Sequence, residues 1–203
     1  MHFKRFLNIK PEISNLFIIF INNKVLYDLN DKTFLLNSSF LNFTNFEFKK
    51  IGIAQDNNMN IYAADLSNES FSLSNQGYQS LVEYDLRYLM TILSEKDLEL
   101  VGRANQLLHY LNSSKYCGYC GSVMEFDSTE EAMFCKCNNL MIYPKISPCV
   151  LALIKKDNQI LLARNALFPE GLYSALAGFI EVSETAEETV VREVFEEVSL
   201  KVN

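Results

Sequence analysis

The 203-residue sequence has no tryptophan, only four prolines, seven glycines and two histidines, and no cysteine before position 117. It also lacks a long apolar run. The longest, Leu16-Phe17-Ile18-Ile19-Phe20-Ile21, is far short of the roughly 20 residues that cross a bilayer, so no membrane span is expected. Lys4, Arg5 and Lys10 precede that run, but Asn22-Asn23-Lys24 has no small-residue cleavage pattern, which argues against a signal peptide. Basic residues are outnumbered 18 to 25, for a net charge of −7. That balance opposes electrostatic binding to duplex nucleic acid. It leaves room for a phosphate substrate whose contacts run through metal cations. Repeats and low-complexity stretches are absent, and a hydrophobic fraction of 49% excludes disorder.

What is present falls into three parts. Over 15–64 the pattern is strand-like: Leu16 to Ile21 and Val25 to Leu29 flank a hairpin turn at Asn22-Asn23-Lys24. Phe34 to Leu36, Phe46 to Ile53 and Asn60 to Ala64 continue it, with Asp56-Asn57-Asn58 as another turn. From Tyr84 the period becomes helical, through Leu86, Leu89, Met90 and Leu93, then Leu98, Val101, Ala104, Leu108 and Leu111. Ser94 can cap the second helix. His109 reads as a packing or surface residue, and His2 as part of a mobile terminus. After Ser147 strands return at Cys149 to Ile154, Ile160 to Ala163 and Tyr173 to Ile180, with a turn at Asp157-Asn158. A helix follows from about Thr185 to Val198, its apolar stripe formed by Ala186, Val190, Val191, Val194 and Val198. Valine is a poor helix former, so packing must hold that helix.

An odd number of cysteines crowded into positions 117–149 does not suit a secreted disulfide framework; a cytoplasmic chain with a local metal site fits better. Cys117-Gly118-Tyr119-Cys120-Gly121 is a Cys-x-x-Cys knuckle, followed by Cys135-Lys136-Cys137. Four thiolates in two pairs match a tetrahedral structural zinc site with no open position. Buried or redox cysteines are the alternative, but a redox Cys-x-x-Cys opens a helix, whereas this one follows a helix and enters a polar hairpin. Cys149 reads as core.

Seven of the 25 acidic residues lie between Glu181 and Glu197. Glu193, Glu196 and Glu197 share one helix face by their i, i+3, i+4 spacing. Like charges at that spacing cost roughly 0.2–0.5 kcal/mol each. Such a trio suits a hard divalent cation, Mg²⁺ or Mn²⁺, which takes oxygen ligands and bridges to phosphates. Spacing alone leaves a solvated acidic face equally open.

The full pattern is Gly178-x5-Glu184-x7-Arg192-Glu193-Val194-Phe195-Glu196-Glu197-Val198-Ser199-Leu200. It resembles the Nudix box, departing only at Ser199, where that family has glycine for a left-handed turn. Serine there costs about 1 kcal/mol. A cysteine ribbon just before the box, joined by Tyr143-Pro144-Lys145-Ile146-Ser147-Pro148, is similar to the NADH pyrophosphatase branch of the superfamily, as are the segments around Arg87, 98–111 and 115–121. The resemblance implies an α+β chain: an N-terminal β-rich domain with two helices over 1–113, a zinc ribbon over 114–144, and the first part of a Nudix α/β/α sandwich over 145–203. It implies cleavage of the pyrophosphate of NADH or NAD⁺ to nicotinamide mononucleotide and AMP, and removal of NAD caps from RNA ends. Glu193, Glu196, Glu197 and the Ala177 carbonyl would hold the catalytic Mg²⁺ or Mn²⁺, while Glu184 and Arg192 would pin the loop to the helix. Glu130, Tyr143 and, displaced by one residue, Arg87 would touch the nucleotide. Cys117, Cys120, Cys135 and Cys137 would hold structural Zn²⁺. The family's fourth cysteine aligns nearer Asn138, so Cys137 must substitute by a local shift. A homodimer is usual in the family.

Family members continue past the box with further strands, a tryptophan-containing segment that selects the dinucleotide, another metal carboxylate and a closing helix. The sequence ends at Asn203 without tryptophan, so it is expected to be a fragment or a degraded homologue with an exposed sheet edge. Two other readings stay open: a non-catalytic zinc-ribbon module that binds nucleotide, and a Nudix hydrolase for another nucleoside diphosphate derivative.

Overall fold

The computed structural model describes residues 2–6, 14–37, 49–55, 59–67 and 79–203. The turn expected at Asp56-Asn57-Asn58, and residues 46–48 of the expected Phe46–Ile53 strand, lie outside them. The chain divides into two compact units, Met1–Pro144 and Lys145–Asn203.

The first unit is built on a mixed sheet. Its strands are β1 (His2–Phe6), β2 (Ser14–Ile21), β3 (Lys24–Asp28), β4 (Leu36–Asn37), β5 (Lys49–Gln55), β6 (Met59–Asp65) and β7 (Leu81–Asp85), in the order β1-β5-β6-β2-β3-β7 with β4 on β2. Asn22 and Asn23 close the β2–β3 hairpin with φ of 50° and 64°, values that asparagine tolerates better than most residues. The apolar run over 16–21 serves both faces. Ile18 and Phe20 point into the core shared with the helices, and Phe17, Ile19 and Ile21 into a second cluster with Leu26, Tyr62 and Leu81. Strand alternation explains why a continuous apolar run is needed at the centre of a sheet buried on two sides. β2 pairs in parallel with β6, which no local pattern announces. His2 is not in a loose end: β1 pairs antiparallel with β5, His2 opposite Gln55.

Helices α1 (Leu86–Ile92) and α2 (Glu95–Ser113) follow, with Ser94 capping α2 by accepting from the Asp97 backbone N–H at 3.3 Å. Val101, Ala104, Leu107 and Leu108 of α2 are buried, and His109 is exposed on its outer side. Three short antiparallel strands come next, β8 (Glu125–Asp127), β9 (Ala132–Cys135) and β10 (Leu140–Ile142), in the order β10-β9-β8. Tyr110 of α2 ties them on: its hydroxyl donates to the Ile142 carbonyl at 2.6 Å and accepts from the Met133 N–H at 2.7 Å. Arg5 of β1 holds the β8–β9 turn through the Glu131 carboxylate and carbonyl at 2.9 and 2.6 Å.

The second unit pairs β11 (Cys149–Ala152) with β14 (Leu176–Phe179), and β12 (Lys155–Lys156) with β13 (Gln159–Ile160). Helix α3 (Ala186–Val198) starts with a reciprocal cap: Thr185 Oγ1 accepts from the Glu188 N–H, and the Glu188 carboxylate accepts from the Thr185 N–H. Its buried core is small, formed by Ala152, Leu176 and Val194 with Val190 and Val198 against them. Two expectations are corrected here. Val191 of the expected stripe is exposed, because the helix turns it away from β14. Cys149 is exposed rather than core, because alternation along β11 gives the inner face to Val150 and Ala152.

Candidate metal and catalytic sites

The cysteine cluster is assembled by two tight turns. Cys117, buried, follows α2 directly, and its carbonyl accepts from the Gly121 N–H at 2.8 Å, with Gly121 at φ 74°. That left-handed value favours glycine. Cys135 ends β9, and residues 136–139 turn back into β10. The Sγ atoms of Cys117, Cys120 and Cys135 all lie within 4.8 Å of one another, and they form the one His, Cys, Asp or Glu group of this kind among the described residues. Cys120 and Cys135 sulfurs are 3.5 Å apart. The backbone N–H groups of Cys120 and Tyr119 stabilise the Cys117 thiolate and bring its pKa down to about 6. Burial pushes Cys135 up to about 11. Three soft sulfur donors, one already favouring its thiolate, fit Zn²⁺ or another thiophilic ion.

Cys137 is a correction. The spacing makes it the expected fourth ligand, but its exposed Sγ lies 3.1 Å from Ser122 Oγ, outside the trio. Asn138 faces the cluster instead, its Nδ2 donating to Cys117 Sγ at 3.5 Å. Two residues after Cys135 the turn points the side chain outward, and one residue later it points inward.

The second site centres on Arg192, in the middle of α3. Its guanidinium grips Glu184 with two bonds, Nε to Oε1 at 2.6 Å and Nη2 to Oε2 at 2.9 Å. Nη2 also donates to the Phe179 carbonyl at 2.9 Å, so loop, strand and helix meet at one side chain. Glu184 accepts further from the Glu181 N–H and from Thr189 Oγ1, at 3.1 and 3.0 Å. These donors, Arg192 first, hold the Glu184 carboxyl down to about 2, and the same contacts raise Arg192. Thr189, fully buried on α3, is a partner that motif spacing misses; its sign in the sequence is a polar residue within the apolar side of the helix.

Arg192 Nη1 reaches Glu193 at 2.9 Å and Glu196 at 3.3 Å. The Glu193 carboxyl lies across β14 directly over Gly178, where a Cβ would come within 1.8 Å of its Cδ. The box glycine is therefore the floor beneath Glu193. Glu197 is exposed, and the oxygens of Glu193, Glu196 and Glu197 do not converge within 4.8 Å. Ala177 stands opposite Leu151 in the β11–β14 pair. Ser199 ends α3 in the left-handed conformation at φ 56°. The oxygen donors fit a hard divalent ion, while Arg192 now carries two of the three carboxylates.

In the first unit, Glu130 and Tyr143 are brought together: the Tyr143 hydroxyl donates to Glu130 Oε2 at 3.0 Å, and that bond raises the phenol pKa. Arg87 is exposed on the first turn of α1.

Residues 144–203 match the family described as the NUDIX domain. Over these residues the chain is similar to the NUDIX domain. It is similar to the NAD-capped RNA hydrolase NudC of Enterobacter sp. (strain 638), with 45% identity over 104 residues. Against the proteins of the same name from Escherichia coli (strain K12 / DH10B) and Shigella boydii serotype 18 (strain CDC 3083-94 / BS512), identity is 46% over 104 residues. Each match covers 51% of this chain and 40% of the relative, so the chain spans about two fifths of the length of these Nudix relatives.

Proposed function

We propose that the protein belongs to a metal-dependent NAD(H) diphosphatase, which splits the pyrophosphate of NADH or NAD⁺ to nicotinamide mononucleotide and AMP and removes NAD caps from RNA ends. The observation that carries this reading is the Arg192 hub, which fixes Glu184, Glu193 and the Phe179 carbonyl around one guanidinium. The relatives named NAD-capped RNA hydrolase point the substrate class toward NAD.

Glu193, Glu196, Glu197 and the Ala177 carbonyl would hold Mg²⁺ or Mn²⁺. Such an ion neutralises charge on the pyrophosphate oxygens and makes a water a competent nucleophile near neutral pH. The chain's own contribution is positional. Glu184, ionised down to about pH 2, keeps Arg192 locked against the loop throughout the physiological range. Gly178 leaves the space Glu193 needs. A glutamate, alone or with a metal-bound hydroxide, would be the base, and Glu197 is exposed beside the pair that Arg192 engages. The Glu130–Tyr143 pair offers a phenol and a carboxylate to the nucleotide. Cys117, Cys120 and Cys135 would hold a structural zinc ion that braces the hairpin.

The test is AMP release from NADH and from NAD⁺ with Mg²⁺ or Mn²⁺, repeated with Glu197→Gln. Turnover that needs the divalent ion and vanishes in a folded Glu197→Gln protein supports the reading. Nucleotide binding in EDTA without turnover would instead favour a non-catalytic binding module, a reading supported by the hold of Arg192 on two of the three carboxylates.

A further inference from the structure

The two turns that carry the cysteines are built alike. In the first, Cys117 is followed directly by a turn over residues 118–120, which the Gly121 N–H closes by donating to the Cys117 carbonyl at 2.8 Å. In the second, Cys135 is followed directly by a turn over residues 136–139. Superposing the roles makes Cys137 the counterpart of Tyr119 and Asn138 the counterpart of Cys120. Tyr119 is 85% exposed and points to solvent. Cys137 is exposed too, its sulfur turned to Ser122 Oγ at 3.1 Å. Cys120 turns inward to Cys135, and Asn138 turns inward to Cys117. The side chain three residues after the first cysteine is the one that a turn of this shape delivers to an ion, and in the second turn that residue is an amide.

The Asn138 amide is not itself placed as a ligand. Its oxygen accepts from the Leu140 N–H at 3.2 Å, and its nitrogen, which has no lone pair to give, faces the Cys117 sulfur. Three sulfurs therefore converge with a hydrogen-bond donor, not a ligand atom, set against Cys117. A closed structural zinc site has four protein ligands, and a site with three keeps a position for a small exchangeable molecule.

We propose that Cys117, Cys120 and Cys135 form a three-thiolate metal centre whose fourth coordination position, beside Asn138, is open to an exogenous ligand, and that Cys137 is not a ligand. The centre is then less anionic by one charge than a four-thiolate site, and it exchanges its ion and its fourth ligand more readily. This holds whether or not the protein cleaves NAD.

Cobalt substitution tests it in the full chain, since the visible bands of Co²⁺ report both the number of bound thiolates and the coordination of the ion. With Co²⁺ bound, added imidazole should change the d–d bands of the parent protein. Cys137→Ser should keep the parent spectrum, the parent response to imidazole and a zinc affinity within about twofold. Asn138→Cys should raise the sulfur-to-cobalt charge-transfer intensity by about a third, tighten zinc binding at least about tenfold, and abolish the imidazole response. Cys135→Ser should lose most of the charge-transfer band. A weakened band in Cys137→Ser, a parent spectrum indifferent to imidazole, or no metal uptake would each overturn the proposal. Should Asn138→Cys fail to fold, the Cys137→Ser and imidazole results still decide it.

Discussion

The cysteine cluster and the carboxylate helix are both gatherings of like-charged ligands, and the chain holds them in opposite ways. The three sulfurs converge because two rigid turns aim them at one point, with two of the three sunk into the first unit's core. The carboxylates of α3 are kept from converging, with a cation of the chain's own, Arg192, standing between Glu184, Glu193 and Glu196. Thiols can be packed neutral, and burial raises the Cys135 pKa accordingly. Like-charged side chains at i, i+3 and i+4 on a helix repel, and the Arg192 guanidinium beside Glu193 and Glu196 offsets that repulsion. The first arrangement suits a soft, thiophilic ion. The second offers oxygen donors of the kind a hard divalent ion takes.

The sharpest way to break that contrast is to move the carboxylate without touching its charge. Gly178→Ala puts a methyl group where the Glu193 carboxyl lies. Divalent-dependent AMP release should fall roughly a hundredfold, the scale of a displacement of about 1 Å at a reacting group, while the melting temperature changes little. A melting temperature that collapses with the rate would place Gly178 in folding alone.

Next comes the resident cation. Arg192→Lys keeps a charge and loses the fork that grips Glu184 twice, so melting temperature should fall at pH 7, and more in Arg192→Ala. The Glu184 pKa, about 2 in the fold, is below its unfolded value, so its contribution is complete above the ordinary glutamate range. It is lost as pH falls from about 4 toward 2. The gap between parent and Arg192→Ala should therefore narrow across that interval in thermal melts; a constant gap would mean that Arg192 acts through something other than Glu184.

In the small core beneath the carboxylates, Val194→Ala removes two methyl groups from a fully buried position and should cost about 2 kcal/mol in denaturant titrations of the second unit. The smallest effect goes the other way. Ser199→Gly relieves a left-handed serine and should stabilise by about 1 kcal/mol without changing metal-dependent turnover.

Much of this arrangement is legible in short stretches of the chain. The helical repeat from Val101 to Leu108 is the buried side of α2, Ser94 is its cap, and the Asn22-Asn23 hairpin closes where expected. The Nudix spacing names Glu184, Arg192 and Glu193, and those three side chains are in contact. Cap, turn and helix-face geometry are legible in this way because they depend on neighbours a few residues away. Others fail where register or long-range contact governs. His2 joins a strand through pairing with residues more than 50 positions on, and the parallel β2–β6 match is equally remote. Cys149 turns outward because a one-residue phase in β11 exchanges its two faces.

The order of residues settles which chemistry the chain carries, since thiols at knuckle spacing and carboxylates on one helical face are local facts of bond geometry. Tertiary structure decides which of those groups meet. Asn138 rather than Cys137 reaches the sulfur cluster because the turn between β9 and β10 sets the direction of each side chain. Glu193 finds its place because β14, a separate element, offers a residue without a side chain beneath it. Such meetings depend on how separate elements pack, and the periodicity of any one element is silent about them.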